Sequence, residues 1–151
     1  MNITIHELSN EEITLALALT WEVFMEFEAP DYSQEGIDEF KSFINNWDEI
    51  KKLRYFGAFE QDCMLGILAM RQEHVTLLFV KKEFHRKGVA KSLFMHLLEQ
   101  TKSNRITVNS SPYAVEIYRK LGFTATDSEQ TTNGIRYTPM VYTKLDPFSG
   151  Q

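Results

Sequence analysis

Leu77-Leu78-Phe79-Val80-Lys81-Lys82-Glu83-Phe84-His85-Arg86-Lys87-Gly88-Val89-Ala90-Lys91-Ser92-Leu93 runs from an apolar strand through a basic loop into a helix, and its reading decides the fold. The strand, Val75 to Val80, is nearly all apolar, which suits a central strand covered on both faces. The first turn of the helix holds Gly88 and Ala90, small residues that let backbone N–H groups approach an anion closely. Free amides and the helix dipole favour phosphate at such an end. Lys81, Lys82, Arg86, Lys87 and Lys91 against Glu83 give a local charge of +4 in a chain whose net charge is -5, and pyrophosphate would match that concentration. On these residues alone, an anion site and a tightly packed helix entry with a solvated basic face both stay open. Other phosphate loops are excluded, because there is no Gly-x-x-x-x-Gly-Lys-Ser/Thr and no Gly-x-Gly-x-x-Gly after a strand.

Working outward, Met1 to Glu7 alternates like a strand, and Ser9 or Asn10 can cap a helix, with Glu12 completing a capping box on Ser9. Ile13, Leu17, Trp21, Phe24 and Phe27 then recur at helical spacing, until Ala29-Pro30-Asp31 breaks the helix. A second helix starts near Ser33 and turns Ile37, Phe40, Phe43 and Ile44 inward. Arg54 to Glu60 and Cys63 to Arg71 read as a hairpin around Gln61-Asp62. Beyond the central segment come a short strand, Arg105 to Asn109, and a helix with Pro112 in its first turn and Gly122 as its C-cap. The chain closes with a hairpin turning at Asn133-Gly134. The order β-α-α-β-β-β-α-β-α-β-β implies an α/β (α+β) fold, a mixed sheet of about seven strands with helices on both faces. With 151 residues and 43% hydrophobic content, residues 1–151 are expected to form one domain.

Two blocks, "LLFVKKEFHRKGVAKSLF" and "VNSSPYAVEIYRKLGF", together resemble the GCN5-related N-acetyltransferase (GNAT) superfamily. The strand and helix order agrees with that fold, whose sheet is mostly antiparallel. The family's turn reads Gln/Arg-x-x-Gly-x-Gly/Ala; here it is His85-Arg86-Lys87-Gly88-Val89-Ala90, with His85 departing at the first position. The resemblance implies acetyl-CoA as cofactor, with the backbone of Phe79 and Val80 pairing with the pantetheine arm. It also implies that residues 85–90 offer N–H groups to the pyrophosphate beside Lys91, and that Asn109 lies against the pantetheine. Tyr118 falls where family members place a tyrosine beside the thiol sulfur, so that a phenol can protonate the leaving thiolate. His74 stands where the histone-acetylating branch carries its catalytic Glu, and an imidazole there suits a general base. Glu22, Glu26 and Glu28 compete for that role or hold a cationic substrate. In strand alternation His74, Thr76, Leu78 and Val80 point to one side.

Charge divides the chain. Residues 1–50 hold twelve Asp/Glu and one basic residue, Lys41, for -11, and residues 51–151 hold nine acids against fifteen Lys/Arg, for +6. An acidic part of this size argues against nucleic acid as partner and suits an amine acceptor, on a small molecule or on a protein. In the resembling fold the first two helices border the acceptor site, so Glu26, Phe27, Glu28 and Tyr32 are expected in the acceptor wall. No stretch approaches the roughly 20 apolar residues of a membrane span. The single Cys63 cannot form an internal disulfide, and a metal site on it would need several more ligands, so no metal is expected and a cytoplasmic setting is the simplest reading. Cys63 lies outside both blocks, which favours direct transfer over an acyl-cysteine route. Homodimers are common in the family, so a homodimer is possible here.

Overall fold

In the computed structural model residues 1–144 are described. Strand β1 (Thr4–Glu7) leads to helix α1 (Asn10–Val23), capped at Ser9, whose backbone N–H donates to Glu12 Oε1 at 2.9 Å. The buried stripe of α1 is rotated from the one expected. Ile13, Ala16, Leu19, Thr20, Val23 and Phe24 are buried, while Leu17, Trp21 and Phe27 sit at the core edge. Small Ala16 and Thr20 let the helix approach the sheet, and Thr20 satisfies its hydroxyl by donating to the Ala16 carbonyl at 2.8 Å. The helix does not stop cleanly at Ala29-Pro30-Asp31. It widens into a π-helical turn, Phe24–Glu28, and tightens into a 3₁₀ turn, Ala29–Asp31. Such a widening re-aims the residues it carries, here Phe27 and Glu28.

Helix α2 (Gln34–Ile44), capped by Ser33, and a short α3 (Trp47–Ile50) precede the meander β2 (Arg54–Glu60), β3 (Cys63–Arg71) and β4 (His74–Val80). Then come a 3₁₀ turn (Lys82–Phe84), α4 (Val89–Gln100), β5 (Arg105–Ser110), α5 (Val115–Leu121), β6 (Thr124–Ala125), β7 (Gln130–Thr132) and β8 (Ile135–Thr143). Pro112 lies in a turn ahead of α5 rather than inside it, with the Ala114 N–H donating to the Ser111 carbonyl at 3.1 Å. α3 and β6 are additions to the expected order, too short to show a period.

The sheet has eight strands in the order β1-β2-β3-β4-β5-β8-β6, with β7 paired to β8. Only β4 and β5 pair in parallel. One face carries α1 and α2 over Ile67, Leu77 and Phe79, and the other carries α4 and α5 over Leu65, Leu68 and Val108. The register slips on β4: Ala69 opposes Leu77 and Met70 opposes Val75, so Thr76 has no partner on β3. Val75 therefore joins the α4/α5 core although Leu77 and Phe79 join the other. The simple alternation expected for His74, Thr76, Leu78 and Val80 fails for this reason. His74 lies with Thr107 on the α1/α2 side, and Leu78 and Val80 pack against the α4/α5 side.

The β7–β8 hairpin turns at Asn133 and Gly134, both at positive φ as a tight reversal requires. It is fastened to the α1–α2 connection. Tyr32 donates its hydroxyl to the Arg136 carbonyl at 3.2 Å, and Arg136 donates Nη1 to the Asp31 carbonyl at 2.9 Å. A Cβ on Gly36 would overlap the Gly134 carbonyl oxygen, so α2 and the hairpin touch backbone to backbone. Gly36→Ala should therefore lower the thermal midpoint by about 10 °C or more, since backbone on one side or the other must move to admit the methyl. A calorimetric scan with an unchanged midpoint would disprove this contact as a structural constraint.

Candidate functional site

The site begins where the sheet opens. β4 and β5 pair only at His74↔Thr107 and Val75↔Val108, and beyond Val75 the strands separate. The freed end of β4, the start of α4 and the length of α5 enclose a cavity of about 660 Å³. Its lining includes Leu78, Phe79, Val80, Gly88, Ala90 and Ile117.

At one end of this cavity lies an anion cradle. Among the described residues, none of the backbone N–H groups from Arg86 to Lys91 donates to a protein acceptor. Arg86 at φ 62 and Gly88 at φ 83 set the loop's path, and a Cβ on Gly88 would meet open space. Six consecutive free amides at a helix start are what a diphosphate needs. Lys82, Arg86, Lys91 and Lys120 line the same cavity and supply positive charge. Val89 contributes only its amide, since its side chain is in the core, and Lys87 is exposed with Nζ 5.8 Å from the Phe84 ring centre. His85 does something the sequence did not suggest. Its Nε2 lies 2.7 Å from the Val80 carbonyl, bracing the loop against the strand end, and Phe27 packs on its ring at 4.8 Å.

A smaller cavity, about 310 Å³, lies on the α1/α2 face and includes Tyr32, Phe40, His74, Asn109 and Ser111 in its wall. The two cavities share Glu28, Leu78, Phe79, Ala114 and Tyr118. Tyr118 is 6% exposed, packed edge-on to Phe123 at 5.3 Å between ring centres, and its hydroxyl has no hydrogen-bond partner among the described residues. Burial, and then the charge of Glu28, hold its phenol protonated well above the ordinary range. Glu28 is pushed up to about 7, first by burial and further by Asp31, while the Ser111 hydroxyl works against the rise. Ser111 Oγ accepts the Ala114 N–H at 3.2 Å, which leaves its own proton for Glu28. Burial lowers His74, which keeps the ring neutral, with Nδ1 2.8 Å from Thr107 Oγ1.

The expected acceptor wall is divided. Glu28 and Tyr32 reach the smaller cavity, but Glu26 lies outside both, paired with Lys82 Nζ at 3.2 Å. Phe27 lines the larger cavity and contacts Tyr113 at 5.2 Å between ring centres. Asn109 lines only the smaller cavity. Ser111, Tyr113 and Phe40 were not anticipated. Ser111 and Tyr113 flank Pro112 within the second motif block, and that neighbourhood was their only signal.

A sheet that parts around an amide-lined, basic cleft suits an extended, diphosphate-bearing cofactor. Residues 28–144 match the family profile described as an acetyltransferase (GNAT) domain. The chain belongs to this family; it is an N-acetyltransferase, and its cofactor is acetyl-CoA. Among solved structures it is similar to a GCN5-related N-acetyltransferase from Rhodopseudomonas palustris, with TM-score 0.82, 19% identity, and coverage of 95% of this chain and 96% of that one. It is also similar to the PaiA N-acetyltransferase from Thermoplasma acidophilum in complex with coenzyme A, with TM-score 0.74, 18% identity, and coverage of 95% and 99%. A third similarity is to spermidine N-acetyltransferase from Vibrio cholerae in complex with CoA and spermine, with TM-score 0.62, 17% identity, and coverage of 94% and 95%. No curated protein matches the chain in sequence. Among the described residues, no helix is long and apolar enough to cross a membrane.

Gly88→Ala tests the cradle. Because the new Cβ meets nothing, the cost to folding is the left-handed φ alone, about 1 kcal/mol. Coenzyme A affinity by calorimetry should fall by about tenfold or more. A variant that binds as tightly as the parent would remove Gly88 from the anion site.

Proposed function

We propose that residues 1–151 act as a single N-acetyltransferase domain that acetylates a primary amine of a small molecule, with Tyr118 as general acid and Glu28 as general base. The observation that carries this reading is that Glu28 and Tyr118 line both cavities, one on the cofactor side and one on the acceptor side. Bound acetyl-CoA supplies the acetyl group as a thioester, so that a C–N bond forms as a C–S bond breaks, the amine nitrogen sheds a proton and the departing sulfur takes one up. The amides of residues 86–91 and the side chains of Arg86 and Lys91 hold the diphosphate, while Phe79 and Val80 offer backbone to the pantetheine arm. The His85 N–H is already given to the Lys82 carbonyl at 3.2 Å, and Lys87 lies over the Phe84 ring outside the cavity.

Glu28 takes the proton from the amine at its carboxylate, and Tyr118 gives one from its hydroxyl to the sulfur. The two steps assist each other. A neutral Glu28 no longer raises the phenol, so proton uptake at one site favours proton release at the other. A base poised near 7 is matched to work at neutral pH. His74 borders only the acceptor side and, with Nδ1 against the Thr107 hydroxyl, shapes that wall. Asn109 and Tyr32 complete the acceptor wall, and Glu26 and Phe27 act from the cofactor side, fastening the π-helical turn to the phosphate loop.

Tyr118→Phe should lower kcat by about 100-fold or more while leaving the coenzyme A dissociation constant nearly unchanged. Unchanged turnover would remove the phenol from the mechanism. The pH profile of kcat/KM tests Glu28. Activity should rise through a pH near 7 as the carboxyl loses its proton, and Glu28→Gln should abolish that rise. Stability should move the other way. A carboxyl whose folded pKa is raised from 4.5 to about 7 makes the fold less stable as pH climbs through that window. Glu28→Gln should therefore raise the thermal midpoint at pH 8 and leave it nearly unmoved at pH 4.

A further inference from the structure

The acceptor-side cavity has an unusual balance of charge. Two carboxylates, Glu28 and Glu39, border it, and no Lys or Arg does. Among the described residues neither carboxylate has an ion-pair partner. Arg136, whose charge reaches Tyr32, is already engaged with Glu129 at 3.2 Å and with the Asp31 carbonyl at 2.9 Å. His74 faces this cavity with its ring against Thr107 and brings no fixed positive charge. The ligand end of the cavity is marked independently by Tyr118, a 6% exposed side chain in the wall whose hydroxyl has no protein partner among the described residues.

The rest of the wall is apolar and aromatic. Phe40, Phe43, Phe79 and Ile135 contribute to it. Glu39 and Phe43 lie four apart on α2 and share a face, so a cation at Glu39 also meets an aromatic ring. An anionic group on the acceptor would find two carboxylates and no partner.

We infer that the acceptor is an aliphatic diamine, its reacting amine placed at Tyr118 and Glu28, its methylene chain along Phe40 and Phe79, and its second ammonium held at Glu39. This rests on the proposed transfer to a small amine. It narrows that transfer to acceptors with a distal positive charge and excludes those with a distal carboxylate or phosphate.

Three acceptors with the same chain separate the possibilities: hexylamine, hexamethylenediamine and ε-aminocaproate, followed by thiol release with acetyl-CoA. The expected order of kcat/KM is diamine, then monoamine, then amino acid. Glu39→Gln, an exposed substitution outside the reacting groups, should lower kcat/KM for the diamine roughly fivefold through KM and leave hexylamine unchanged. Added salt should shrink the preference for the diamine. Equal turnover of diamine and monoamine, or an equal loss for both in Glu39→Gln, would overturn the diamine assignment alone. Thiol release with none of the three, in a protein that binds coenzyme A and acetylates a lysine-bearing peptide, would overturn the small-amine reading and this inference together.

Discussion

The organisation of the molecule depends on a failure of pairing. An unpaired Thr76 shifts the register of β4 against β3, and β4 keeps only two residues paired with β5. A continuous sheet would have spent the backbone groups of residues 77–80 on a fifth strand. Here the strands part, and the gap becomes the larger cavity. The same slip carries His74 to the α1/α2 side and Val75 to the other. One extra residue thus decides which side chains of β4 face the acceptor, beside the point where β4 and β5 part.

Much of this was legible in the chain. The capping box at Ser9, the hairpin at Gln61-Asp62 and the turn at Asn133-Gly134 follow from local chemistry, while the motif pair containing Gly88 and Tyr118 was legible only through its resemblance to the family. What escaped depends on contacts distant in sequence. The bulge at Thr76 leaves an apolar strand looking regular, because nothing in Val-Thr-Leu-Leu-Phe-Val marks a skipped partner. The π-helical turn at Phe24–Glu28 hides for the same reason: five residues that read as ordinary helix are wound more loosely, and Phe27 swings to the cofactor side while Glu28 reaches both cavities. The short turn at Ser111 and Pro112 was read as helix because proline is at home in a first turn.

Glu28 shows how position sets chemistry. Its neighbours Glu22 and Glu26 are the same residue type on the same chain segment, yet Glu22 is exposed and Glu26 pairs with Lys82 in solvent. Of the three only Glu28 is partly withdrawn from water, near Asp31 and with a single hydroxyl to offset the loss. Composition placed twelve acids in the first fifty residues, and the fold singles out one of them for a raised affinity for protons.

The unpaired amides of residues 86–91 carry a consequence for the lifetime of the protein. A stretch with two left-handed residues and no acceptors for its N–H groups is held from its flanks, by His85 on the Val80 carbonyl and by Val89 in the core. An anion seated there adds its binding energy to the folded state alone, about 2.7 kcal/mol when free ligand stands at a hundred times its dissociation constant. Bound cofactor therefore lowers the unfolded fraction on which heat and proteases act, so resistance to both should rise with cofactor concentration.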